Sequence, residues 1–555
     1  MDYNILIGGA AGQGMDTVAH LLTKVMQRNG FYVYTTADYM SRVRGGHNFF
    51  QIRISDRPIH CHKRELDMIF ALNAETLERH LPRLKAGGMS FCDDSIEGFP
   101  ETKKYNLIKK AKELGNEKML TSVGLAIIIR YLGLNLDHAK EVLRSKFKPE
   151  LIDMNIEALR YGYELLESDN KREAGELDTI LIDGNSAVGL GAVAAGCKLY
   201  CAYPMTPSSG VLGFMAAASE EMEIAVDQVE DEVAALNMAL GAAYTGVRAM
   251  TGSSGGGLAL MQEAMSLAGI IETPIVVINV QRPGPATGLP TNTEQSDLRF
   301  LVHSGHGEFP RKIIAFRNAE DAFYQTVRAF DIAEKYQIPV ILLSDQYLAD
   351  ANVNIEPFDL ESIEIDRHLA NPKDYEPGTY NRYAFTESGV SPRLIPGRAN
   401  GNIVMVDSDE HNEFGRIDES AENRIKMVDK RAKKGDLVLE ESEDPWEIGV
   451  DDFDTLVVCW GSTYGIVKEA VEALNEEGHK IKALSYADVF PLKVDKFLEY
   501  HKKAKKYIMV EQNHDGQFEG LIRQYALVKA DHLIRKYDGR AWYLEELKAE
   551  LEEVL

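Results

Sequence analysis

The stretch "TILIDGNSAVGLGAVAAG", Thr179 to Gly196, joins a short apolar run to a polar turn and then to a segment of small residues. A β-branched, apolar run closed by Asp-Gly-Asn has the makings of a strand and its turn. The following residues contain no proline and are long enough for a helix. Similar strand and helix units recur through "PVILLSDQYLAD", Pro339 to Asp350. Such alternation predicts an α/β fold, a mostly parallel sheet with helices on both faces.

Upstream, "YNILIGG" runs into "GGAAGQGMDTVAHLL", again strand, glycine loop and helix. The spacing Gly9-x-x-Gly12-x-Gly14 reverses the G-x-G-x-x-G dinucleotide fingerprint, and no Lys-Ser or Lys-Thr follows. Two readings stay open: glycines that let helix pack on strand, or an anion held at the helix N-terminus. The polar run "ESDNKREAGELD" reads as a linker. From Asn354 to about Val450 periodicity weakens into a long irregular connection, of the kind that is functional or wraps a neighbour. Within it, "DESAENRIKMVDKRAKKGD" reads as a solvated helix face. The expected parts are 1–170, 178–353, the connection 354–450, and a small α/β domain over 451–555.

A chain of 555 residues with 61 basic and 86 acidic side chains carries a net charge of −25. That charge disfavours nucleic acid and anionic membrane surfaces. The most apolar long stretch, Met119 to Leu136, is broken by Arg130, and the start "MDYNILIGG" has no basic n-region. A cytoplasmic protein is expected. Five scattered cysteines suit neither a disulfide framework nor the C-x₂-C-x₂-C run of an iron–sulfur site.

Open α/β sheets bind ligands beyond their strand ends. Three segments stand there: "YPMTPSSG", "VEDEVAALNMALGA" and "INVQRPGPATGLPTNTEQSD". In the second, Glu230, Asp231 and Glu232 precede a helix, where acids also complement the dipole. Gly255 to Gly257 allow close backbone approach, and Arg282 after "PIVVINV" could grip a carboxylate with two hydrogen bonds.

These segments, with "HGEFPR" and "RYAFTESGVSPRLIPG…DSDEHNEFG", resemble the α subunit of the 2-oxoacid:ferredoxin oxidoreductases. The opening glycine loop with "SRVRGGHNFFQIRISDRPI" resembles that family's γ domain, so the chain looks like a γ–α fusion, closest to the 2-oxoglutarate type. The resemblance implies a multidomain α/β architecture: a γ domain, a pyrimidine-type thiamine diphosphate-binding domain and a transketolase C-terminal-like domain. It implies reversible, coenzyme A-dependent oxidative decarboxylation of a 2-oxoacid, with electrons passed to ferredoxin. A branched-chain or aryl 2-oxoacid, or a non-catalytic chain of the same fold, are the alternatives.

By the same resemblance, Glu232 hydrogen-bonds the cofactor's pyrimidine, with Glu230 its rival, and Tyr203 and Pro204 line the cofactor. Thr206 and Arg282 hold the substrate carboxylate beside the reacting carbon. Gly12, Gly14, Arg44, Gly45 and Gly46 help to receive coenzyme A. No metal is expected on this chain. Mg²⁺, the cofactor's diphosphate and a [4Fe–4S] cluster belong to a β subunit, in a dimer of αβ heterodimers.

Overall fold

The computed structural model describes residues 1–41 and 45–555, so Arg44 lies outside the described residues. The chain forms two compact units. One comprises Met1–Ile182, Ala351–Pro357 and Tyr543–Leu547. The other comprises Asp183–Asp350, Phe358–Trp542 and Lys548–Leu555.

The first unit is built on an eight-stranded sheet. Its centre is Asp2–Ala11, parallel to Leu66–Ala71 on one side and antiparallel to Gly45–Ser55 on the other. The helices Met15–Arg28 and Leu120–Tyr131 cover one face, burying Val18, Leu22, Val123 and Ile127 against Ile5, Ile52 and Ile54. The stretch Met119 to Leu136 is therefore core, and no helix among the described residues is long and apolar enough to cross a membrane.

The strand inside "TILIDGNSAVGL", Ile180–Asp183, forms as expected but pairs elsewhere. It ends the first unit's sheet beside Asn352–Ile355, instead of opening the sheet that follows it in sequence. A polar clasp explains the choice. Asn354 accepts from the Val33 amide at 2.8 Å and donates to the Phe31 carbonyl and the Thr179 hydroxyl, each at 3.1 Å. The small residues of the next helix, Gly184–Ala194, have their own reason. A Cβ on Gly191 would lie 2.5 Å from the Phe323 carbonyl oxygen, so only glycine lets that helix reach the helix Ala319–Tyr336.

In the second unit, a seven-stranded sheet runs in the order 488–490, 312–315, 339–345, 275–281, 249–253, 199–202, 225–228. Every pairing in it is parallel except that of the first strand. That strand is lent by the C-terminal region and clamped there, with Asp488 accepting from buried Lys312 at 3.0 Å and from Arg328 at 2.8 Å. A five-stranded sheet centred on Thr455–Trp460 shares its core, Leu456, Val458 and Tyr486 packing in one cluster with Ile313 and Val277.

The long connection is irregular, as expected, yet firmly tied down. Glu334 receives Arg248, Arg367 and Arg393 at 2.7 to 2.8 Å. The charged run becomes the helix Ala421–Glu440, solvated as expected along the side that carries Glu422 and Lys426, but buried along the other through Lys430, Arg431 and Lys434. Buried Glu272 requires the two lysines, while Arg431 pairs with Glu410 at 2.8 Å. Burial alone would raise its carboxyl pKa, but Lys434 and Lys430 hold it well below the usual carboxylate range. All five cysteines are buried thiols, with no disulfide among the described residues.

Candidate functional site

The three motif segments converge at the strand ends of the seven-stranded sheet. After the strand Leu199–Ala202 the chain turns through Tyr203 to Ser208, leaving Tyr203 exposed and Thr206 half-buried. Asn185 supports the turn by donating to the Pro207 carbonyl at 3.1 Å. After the strand Ile275–Gln281, the Arg282 guanidinium donates to the Thr206 carbonyl oxygen at 2.6 Å. Two residues 76 positions apart are thus joined. The bond leaves the Thr206 hydroxyl out of the contact and uses only one face of the Arg282 fork.

Glu232 opens the helix Glu232–Tyr244, whose N-cap is Asp231: the Asp231 carboxylate accepts from the Ala234 amide at 2.7 Å. With the cap supplied by its neighbour, Glu232 is released from that task. It is 3% exposed, and its Oε1 has no hydrogen-bond partner among the described residues. Glu230, by contrast, is not among the buried residues. A buried carboxylate oxygen without a partner is costly and implies a ligand or a function. The wall beside it is glycine: a Cβ on Gly257 would lie 2.0 Å from Ser253 Oγ and 2.7 Å from Glu232 Oε1. Gly257 stands in the helix after the strand Ala249–Ser253, where the sequence shows its three consecutive glycines.

The loop after Arg282 adds two carboxyls that sequence reasoning did not single out. Asp297 accepts from Asn279 at 2.9 Å and lies against Gly255, whose added Cβ would come within 2.5 Å of it. Burial raises the Asp297 carboxyl, against the Asn279 hydrogen bond and Arg282. Glu294 is pushed up to about 7 by burial first and then by Asp297 and Asp538, against His514. Gln295 fixes the loop to the C-terminal sheet. It donates to the Trp460 carbonyl at 2.8 Å and accepts from the Gln512 amide at 3.1 Å, while its own amide donates to Gln512 O at 2.7 Å. The "EQN" of the last domain is therefore the mate of "TEQSD", a pairing that no local spacing reveals.

In the first unit, Gly12 and Gly14 take φ of +89° and +88° in the turn before the helix Met15–Arg28, a region that favours glycine. The space where a Gly12 Cβ would stand is open. Gly46, at φ +75°, precedes the strand residue His47, and Gly45 begins that strand. Since Gly9 pairs with Asn48 across the sheet, the glycine loop and Gly46 occupy the same end of adjacent strands.

Residues 190–430 match the family profile described as pyruvate flavodoxin/ferredoxin oxidoreductase, thiamine diphosphate-binding, and residues 4–165 match pyruvate ferredoxin/flavodoxin oxidoreductase. A 2-oxoacid:ferredoxin oxidoreductase subunit alpha from a Sulfolobus species is 32% identical, over 99% of this chain and 96% of that one. A 2-oxoglutarate oxidoreductase subunit KorA from Mycobacterium tuberculosis is 27% identical, over 98% and 90%. The solved 2-oxoglutarate:ferredoxin oxidoreductase from Magnetococcus marinus, with 2-oxoglutarate, coenzyme A and succinyl-CoA bound, superposes with a TM-score of 0.92 at 32% identity, covering 100% of this chain and 99% of that one.

The chain therefore belongs to the 2-oxoacid:ferredoxin oxidoreductase family. Within it the chain is of the α-subunit type, an oxidoreductase component with a thiamine diphosphate-binding domain that works with a partner subunit and ferredoxin. The buried, unpartnered Glu232 oxygen beside the Gly257 wall fits a cofactor ring nitrogen.

Proposed function

We propose that this chain, with a β subunit, catalyses the reversible coenzyme A-dependent oxidative decarboxylation of 2-oxoglutarate. The 2-oxoacid loses carbon dioxide, its acyl group passes to the coenzyme A sulfur, and the electron pair released goes one electron at a time to ferredoxin. The observation that carries this reading is the Glu232 oxygen, buried without a partner against Gly257. When bound, thiamine diphosphate supplies the carbanion-stabilising chemistry that a 2-oxoacid needs to lose carbon dioxide. Glu232 would hold a proton at the ring nitrogen of the bound cofactor's pyrimidine, as the acid–base partner of that ring. Tyr203 and Pro204 line the cofactor. Arg282 grips the substrate carboxylate with the part of its fork that Thr206 does not use, and the Thr206 hydroxyl orients the ketone.

Gly12 and Gly14, with Gly45 and Gly46, receive coenzyme A. Residues 1–170, 178–353 and 451–555 serve as the γ, pyrimidine-binding and C-terminal domains joined by the connection 354–450. Mg²⁺, the diphosphate site and a [4Fe–4S] cluster are assigned to the β subunit, and the assembly to a cytoplasmic dimer of αβ heterodimers.

The test is anaerobic co-purification with the β subunit, followed by viologen reduction with a panel of 2-oxoacids. Reduction should need both thiamine diphosphate and coenzyme A, with the highest kcat/KM for 2-oxoglutarate. A branched-chain or aryl acid as best substrate would reassign the specificity. No reduction by a fully loaded complex would leave a non-catalytic chain.

A further inference from the structure

A buried histidine pair in the first unit takes no part in the chemistry above. His47, near the start of the strand Gly45–Ser55, and His80, at the end of the helix Ala74–His80, are each buried, and their Nε2 atoms lie 2.8 Å apart. Such a contact needs one donor and one acceptor, and a third residue decides which is which. The Arg83 guanidinium is 3.1 Å from His80 Nδ1, and a guanidinium can only donate. His80 Nδ1 is therefore the acceptor, and His80 carries its proton on Nε2. That proton is donated to His47 Nε2, so neutral His47 must carry its own proton on Nδ1. Among the described residues this Nδ1 is buried and has no hydrogen-bond partner.

Arg83 is itself held in place, donating to the Gln51 side chain at 2.6 Å and to the Arg64 carbonyl at 3.0 Å. The polarity of the chain Arg83, His80, His47 is thus fixed from its far end. Its near end is an unspent donor, one residue after Gly46 and one before Asn48, the partner of glycine-loop residue Gly9. Arg79 and Glu75, an ion pair on the adjacent helix, are the charged neighbours that His47 feels. Burial and then Arg79 keep its ring neutral, against Glu75; burial, then Arg83 and His47, take His80 down to about 3.

We propose that His47 donates its Nδ1 hydrogen to an acceptor oxygen of coenzyme A, with His80 and Arg83 as positioning residues that fix its tautomer. The proposal rests on the reading that Gly12, Gly14, Gly45 and Gly46 of this unit receive coenzyme A. The acceptor is a phosphate or a pantetheine carbonyl oxygen, either of which takes a neutral imidazole donor.

The test uses the intact complex with its partner subunit. In His47→Phe, which keeps a planar ring but removes the donor, the Kd for coenzyme A measured by calorimetry should rise about tenfold or more, as for a ligand acceptor left unpaired. The KM for coenzyme A should rise with it while that for the 2-oxoacid stays. A parallel titration with pantetheine locates the acceptor: a loss confined to coenzyme A places it on a phosphate, and an equal loss places it on the pantetheine arm. An unchanged Kd for both would overturn the proposal and leave the coenzyme A reading intact, whereas failure of the wild-type complex to bind coenzyme A would remove the reading itself. The wild type needs no variant: ¹⁵N-histidine spectra should hold an exchange-protected Nδ1–H imidazole that shifts when coenzyme A is added. Its absence, or an Nε2–H tautomer at His47, overturns the assignment. In Arg83→Met the lock is lost and the other tautomer should appear at both rings; a tautomer unmoved by that change removes Arg83 from the role.

Discussion

Two glycine-rich strand-to-helix turns do opposite work in this molecule. In the first unit, Gly12 and Gly14 adopt left-handed φ, and around Gly12 there is open space. In the second, Gly255 and Gly257 have ordinary φ but no room: carboxylate oxygens of Asp297 and Glu232 stand within 2.7 Å of where a Cβ would be. One turn uses glycine for its backbone freedom, the other for its missing side chain. The neighbouring ionisable groups differ as well. The first turn adjoins a histidine pair held neutral, the second a set of carboxyls. A glycine run in a sequence therefore names neither role; only the surrounding atoms do.

The largest effect should come from the carboxylate that the tight turn walls in. Glu232→Gln removes the proton-sharing group with little change in shape, so turnover should fall by about two to four orders of magnitude. Assembly with the β subunit and the melting temperature should be retained. Normal turnover would break the comparison by making the second turn a packing device only.

Acid separates the two regions next. His80 falls to about 3 from an ordinary 6.5, so its unfolded form binds a proton that the folded form refuses. That stability is present above about pH 6.5 and drains away as pH falls toward 3, by up to about 1.4 kcal/mol per pH unit. Glu294 is raised to about 7 from 4.5, the opposite case. Its contribution is complete below pH 4.5 and is lost as pH rises through 7. Between about pH 5 and 7, acid should therefore loosen the first unit and tighten the loop at Glu294, readable as diverging hydrogen-exchange protection once intrinsic rates are corrected. Parallel changes in both regions would show that the two groups are not buried as described.

Gly257→Ala sharpens the difference between the turns. The new methyl must displace Ser253 and Glu232, an overpacking that costs about 1–3 kcal/mol and should lower turnover about tenfold or more. Thiamine diphosphate affinity, followed by calorimetry, should fall in step. Wild-type affinity and rate would mean that the Glu232 side chain moves aside freely and is not held for the cofactor.

Much of this was legible beforehand. Strand and helix alternation gave the α/β class, and the motif segments do converge, Arg282 upon Thr206 across 76 positions. Three things were hidden, each because it depends on distant partners. The strand Ile180–Asp183 looks in sequence like the start of the next sheet; the Asn354 clasp that draws it to the first comes from the far end of that domain. The run "DESAENRIKMVDKRAKKGD" does not show that its Lys430 and Lys434 turn inward, until buried Glu272 is seen beneath them. The tautomer of His47 is a property of three residues on three elements, and no spacing encodes it.

The smallest effect is expected at Gly12, and it decides whether backbone freedom is all the first turn needs. Gly12→Ala meets no atom within 4 Å, so the only intrinsic cost is the left-handed φ of +89°, about 1–2 kcal/mol for an L-residue. The melting temperature should fall by a few degrees at most for a chain of this length. If the open space beside Gly12 is where coenzyme A passes, the same methyl must also raise the KM for coenzyme A several-fold. A lowered melting temperature with an unchanged KM would make the glycine a servant of the turn alone. The anion would then be sought where a donor stands unspent, at His47, which the adjacent strand carries to the same end of the sheet.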